Sequence, residues 1–150
     1  MMNVKCFMLV LLVIVTGCVP HAIKDEINYA SMEASLSDID QKVKSYYLTK
    51  DIPDNFDAAQ YKTVVDELCS SNSVCKSQIK ELFDTYNVQV RKIDDTFSVM
   101  LCDVDKLKKT MEDFGCNSML VEIKSWKEND NVPCKFEDNW QQILQQHCAE

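Results

Sequence analysis

Six cysteines, at positions 69, 75, 102, 116, 134 and 148, all lie beyond position 68 of a 150-residue chain, and they restrict its possible folds more than any other feature. An even set of this size in a small protein reads as a disulfide framework, which forms and persists in oxidising compartments. With 5, 26, 13, 17 and 13 residues between neighbours, the six allow fifteen pairings.

Two further cysteines, Cys6 and Cys18, belong to an apolar leader. Lys5 precedes the run Cys6-Phe7-Met8-Leu9-Val10-Leu11-Leu12-Val13-Ile14-Val15, and Thr16, Gly17 and Pro20 follow it. This layout predicts a secretory signal peptide over residues 1–18, because a membrane-spanning helix needs roughly 20 apolar residues. Cleavage after Gly17 leaves seven cysteines and cleavage after Cys18 leaves six, so parity favours the later site. Val15-Thr16-Gly17-Cys18 also resembles a bacterial lipobox, with Cys18 as the acylated residue, but six further cysteines are unusual in a lipoprotein. Both readings take the chain out of the cytosol. Residues 19–150 are then expected to form a single helical disulfide-bonded domain, since a chain of that length supports one core.

The net charge of −8 disfavours binding to nucleic acid or to anionic lipid. Only two glycines and three prolines occur, too few for the many turns of a sandwich or barrel, so composition predicts an all-α fold. Apolar residues at helical spacing fit that expectation and predict about six helices in a compact array. The first carries Ile23, Ile27, Met32, Leu36, Ile39, Val43, Tyr46 and Tyr47, and ends before the loop at Pro53. The second starts at Asn55 or Asp57 and presents Tyr61, Val64, Val65 and Leu68. A third, capped by Ser73, runs from Ile79 through Leu82, Phe83, Tyr86, Val90, Ile93 and Phe97 to Leu101, with residues 87–90 its weakest stretch. Asp103 is expected to cap a short helix with Val104, Leu107, Met111 and Phe114, and Gly115 to follow its end. Ser118 caps the next, with Met119, Leu120, Ile123 and Trp126, before a polar loop over residues 128–133. The last opens near Glu137 or Asp138 and buries Trp140, Ile143 and Leu144.

A disulfide holds its Cα atoms roughly 4.4–6.8 Å apart, whereas a helix advances about 1.5 Å per residue. Cys75 and Cys102, Cys102 and Cys116, and Cys134 and Cys148 each flank a predicted helix, so none of these pairs is expected to bond. The bridges should instead join different helices and act structurally. Zinc is not expected: no Cys-x2-Cys pair occurs, and His21 and His147 are the only histidines. No cofactor or catalytic residue is identifiable. An even cysteine set leaves no thiol nucleophile, neither histidine sits in a serine elbow, and Asp94-Asp95, Glu112-Asp113 and Asp103 with Asp105 read as solvated charge.

Saposin-like domains share the helicity and acidity but open with Cys-x2-Cys and close with a short gap, unlike the spacing here. The order of Cys69 and Cys75, Phe97 before Cys102 and Lys106-Leu107, Cys116 with Trp126, and Cys134 with Phe136, Asp138-Asn139 and Cys148 is closer to another pattern. Over residues 61–150 it resembles a nematode family of secreted cysteine-rich domains, domain of unknown function nineteen. Cysteines that the family often has between Cys75 and Cys102 and near Trp140 are absent. The resemblance implies an extracellular, helical, disulfide-bonded protein and carries no activity. The sequence therefore predicts a secreted, non-enzymatic module that binds an extracellular protein partner. The alternative is a carrier of a small hydrophobic ligand, a lipid or sterol, because Met and aromatic stripes could line a cavity.

Overall fold

The computed structural model describes residues 21–148 except 106 and 120, with side chains from Tyr29 onward apart from that of residue 128. The expected leader with Cys6 and Cys18 lies outside the described residues, as do Lys106, Leu120 and the side chains of Ile23 and Ile27. Three helices come first: α1 (His21–Tyr47), α2 (Ala58–Leu68) and α3 (Ser73–Thr85). Met32, Leu36, Ile39 and Val43 recur every three or four residues along α1 and are buried, so this face packs inward. Asp57 caps α2 by accepting from the N–H groups of Ala59 and Gln60, each at 3.0 Å. Asn72, rather than Ser73, caps α3 in the same way through Val74 and Cys75.

Beyond Thr85 the all-α expectation fails. Four strands follow, β1 (Tyr86–Ile93), β2 (Thr96–Asp103), β3 (Lys109–Asp113) and β4 (Ile123–Ser125), in one antiparallel sheet ordered β1-β2-β3-β4. A 3-10 turn (Glu128–Asp130) and a short helix, α4 (Trp140–His147), close the described chain. Over the described residues the protein is mixed α/β, with four α-helices rather than six. The predicted third helix stops where Tyr86, Val88 and Val90 begin to alternate with Asn87, Gln89 and Arg91, a period of two that suits a strand with one inward face. The segments expected as helices after Asp103 and Ser118 instead carry the β2–β3 hairpin and β4.

Scarcity of glycine misdirects the sequence reading because these turns use other residues. Asp94, Leu107 and Asn131 adopt left-handed φ values of 46°, 49° and 53°. Asp and Asn tolerate that region through local hydrogen bonding, whereas a branched apolar residue such as Leu rarely does. Gly115 is the exception where glycine is required. Its φ is +68°, and a Cβ there would lie 2.3 Å from the Phe97 carbonyl oxygen.

Strand β2 is central and buried along its length except at Asp103. Its pairing puts Val88, Leu101 and Met111 on one face with Val90, Val99 and Asp113, and Gln89, Met100 and Glu112 on the other. The first face receives the helices: α2 and α3 contact β1, and α1 contacts β4. Phe97 packs there against Phe56 and Tyr61, with ring centroids 5.3 and 5.9 Å away. A bulge between Leu101 and Cys102, opposite Lys109, adds a residue to β3 and brings Lys109 onto the same face as Glu112. That second face lies under the C-terminal tail, residues 133–148, as the contacts below show.

Candidate functional site

All six sequence-predicted site cysteines are paired: Cys69–Cys75, Cys102–Cys134 and Cys116–Cys148, with Cα separations of 5.4, 5.7 and 5.3 Å. Only the first joins two helices, the end of α2 to the first turn of α3. The other two carry the tail, one from β2 and one from the segment after β3, each closing a separation of 32 residues. Cys102 and Cys116 flank a strand and turn rather than a helix, so the rod-length argument against pairing them does not apply to this fold.

The tail rests on a polar sheet face. Arg91 donates to the Glu137 carbonyl at 3.0 Å and stacks on Phe136, 4.5 Å from its centroid. Gln89 reaches the Cys134 sulfur at 3.2 Å. Lys109 and Glu112 pair at 2.6 Å in near-complete burial, and the Lys109 ammonium sits 5.1 Å from the Trp126 ring. Burial raises the Glu112 carboxyl above its usual range, against the pull of Lys109. Trp126 is half-buried between Lys109 and Lys124 and meets Phe114 edge-on. Helix α4 has no fully buried residue, so Trp140, Ile143 and Leu144 are not the core anchors that their spacing suggests.

Opposite, beneath the helices, lies a group that the sequence reading missed. Asp40, Lys44, Tyr61 and Asp113 are all buried, from α1, α2 and the end of β3. Lys44 Nζ is 2.7 Å from Asp113 Oδ2, with side-chain exposures of 1% and 0%. Asp113 Oδ1 accepts from the backbone N–H of Gly115 at 3.1 Å and of Glu122 at 3.3 Å. The Tyr61 hydroxyl donates to Asp40 Oδ1. Asp40 Oδ2 has no N–H or O–H donor directed at it, and the Asp113 carboxylate is its neighbour. Burial first, and then the charge of Asp113, hold the Asp40 carboxyl well above the usual carboxylate range. Protonated, its free oxygen becomes the donor to Asp113 that the pair otherwise lacks. Burial, followed by the Asp40 charge, likewise raises the Tyr61 phenol.

Glu112 and Asp113, expected as solvated charge, are therefore buried, whereas Asp94 and Asp95 are exposed as predicted. A signal for the missed pair was available: Asp40 and Lys44 follow Leu36 by four and eight residues and so belong to the inward stripe of α1. No solute can reach this cluster without opening the fold, so its chemistry is confined to its own members.

Cys116, Glu122 and Cys148 bring ligand-type atoms within 4.8 Å of one another. Both cysteines are bonded together and offer no thiolate. His147 is exposed and stacks on Phe114 at 4.9 Å rather than joining that group. A surface groove of about 970 Å³ is bordered by Lys50, Asp51, Asp54, Lys92, Asp94 and Asp95. No helix among the described residues is long and apolar enough to cross a membrane. No family model, no curated protein and no solved structure matches the chain.

Proposed function

We propose that the protein is a secreted, non-enzymatic interaction module that presents the β2–β3 hairpin tip to an extracellular protein partner. The observation that carries this reading is Leu107, 66% exposed at a left-handed φ of 49°. A bulky apolar side chain held outward in a disfavoured conformation stores strain that the fold must support. Support comes from the Cys134 N–H, which donates to the Leu107 carbonyl at 3.0 Å beside the Cys102–Cys134 bridge. Val104, 56% exposed, extends the apolar tip. The three disulfides support an extracellular setting. The likeness to the nematode secreted family agrees with this and rests on the sequence order alone.

The carrier alternative has weaker support, since the groove of about 970 Å³ is bordered by charged side chains. The test is cross-linked capture from conditioned medium of the source organism with wild type and with Leu107→Asn, a residue that tolerates left-handed backbone. A protein retained by wild type and lost by the variant supports the reading. Identical capture by both, or a lipid co-purifying in native mass spectrometry, overturns it.

A further inference from the structure

The Asp40, Lys44 and Asp113 group brings an amine and two carboxyls together in full burial, with Lys44 Nζ 2.7 Å from Asp113 Oδ2. We propose that Lys44 and Asp113 join in the folded protein through an isopeptide bond between Nζ and Cγ, with Asp40 carrying the protons.

Proximity comes first: Nζ lies 2.7 Å from Asp113 Oδ2 and both side chains are locked by burial, so the encounter needs no diffusional search. The two carboxylate oxygens of Asp113 differ in kind. Oδ1 receives the N–H groups of Gly115 and Glu122, which together form an oxyanion hole for the charge that develops on attack. Oδ2 faces the ammonium and is the oxygen that departs. Asp40 is held by Tyr61 through Oδ1, which leaves Oδ2 to exchange protons with its neighbours. Burial keeps this carboxyl protonated at a pH where an exposed one has ionised, so it enters as an acid. Phe97, whose centroid is 5.9 Å from Nζ, and the ring of Tyr61 exclude the water that would otherwise stabilise the separated ions.

The step balances without an outside reagent. In the reacting pair one proton of the Lys44 ammonium moves to Asp113 Oδ2, 2.7 Å away, which frees the Nζ lone pair. The Nζ lone pair attacks Cγ and the charge moves onto Oδ1. The Cγ–Oδ2 bond then breaks as Asp40 protonates the departing hydroxyl and takes a proton from Nζ. Ammonium and carboxylate become amide and water, and Asp40 ends as it began. Because Cys69–Cys75 links helix to helix and the other two bridges link β2 and the segment after β3 to the tail, this bond would add a covalent tie between α1 and β3.

Mass spectrometry of the purified, fully reduced and alkylated full chain reads this directly. The expected mass is lower than that of the sequence from its measured N-terminus by one water, and a digest should contain a branched peptide joining Lys44 to Asp113. Lys44→Arg should restore the full mass, and Asp40→Asn should slow the loss at least tenfold. A wild-type chain at full mass after days of incubation overturns the proposal, whether or not the variants fold. Water loss that persists in Lys44→Arg also overturns it, because it places the dehydration elsewhere.

Discussion

The two faces of the sheet are covered by different means. On the helical face, Phe97, Val99, Leu101 and Met111 join Leu36, Ile39, Tyr61 and Leu82 in one buried apolar cluster. On the other, Gln89 and Arg91 meet a tail whose helix has no buried residue, and two disulfides hold it. Area removed from water stabilises the first face at roughly 25 cal/mol per Å², a force the tail cannot match. The tail depends on loop closure, which acts by restricting the unfolded chain. A small domain can thus cover a polar sheet face provided the cover is covalently tied.

The largest expected contrast is in truncation. Phe97→Ala should destabilise by about 3–5 kcal/mol, whereas Ile143→Ala on α4 should change stability by about 1 kcal/mol or less. Urea unfolding of the two variants measures both, and equal losses would break the distinction between the faces. Next come the bridges. Cys102→Ser with Cys134→Ser should cost about 3–4 kcal/mol, and Cys69→Ser with Cys75→Ser about 2 kcal/mol, since the second loop is far shorter. The reverse order would mean that the helix pair, not the tail, depends more on its bridge.

The smallest contrast concerns pH. Asp40 is raised well above its ordinary 3.8, chiefly by burial, and Glu112 is raised from 4.5 for the same first reason. A raised carboxyl contributes stability fully below its unfolded value and loses it as pH rises through the folded one, because the folded state binds the extra proton. Stability should therefore fall with pH above about 3.8, and Asp40→Asn should flatten that slope more than Glu112→Gln does. Burial of Asp40 persists when Lys44 and Asp113 condense, so the sign holds in either covalent state. Unfolding midpoints from pH 3 to 8 give the comparison, and an unchanged slope in Asp40→Asn would contradict it.

The helical face was legible in sequence and the tail face was not. Helix α1 declares itself through Met32, Leu36, Ile39 and Val43, and α2 through Asp57. The passage from α3 into β1 hides because Ile79, Leu82, Phe83 and Tyr86 keep helical spacing up to the first strand residue. Residues 87–90, weakest for helix, are in fact strand. The hairpins carry no glycine at their tips, and Asp94 and Leu107 turn the chain in its place. Cysteine positions announced a framework, but their partners depended on the hairpin that the helix reading had replaced. The buried Asp40–Lys44 pair was visible only as two charged residues on an apolar stripe.

Native-state hydrogen exchange with and without a disulfide reductant tests the two-face account most directly. The account predicts that reduction strips protection from the amides of Lys109, Cys134 and Cys148, which bond to Val132, Leu107 and Leu144, while α1 and the β1–β2 ladder stay protected. Loss of protection on both faces together, or a tail that stays protected once reduced, would contradict it.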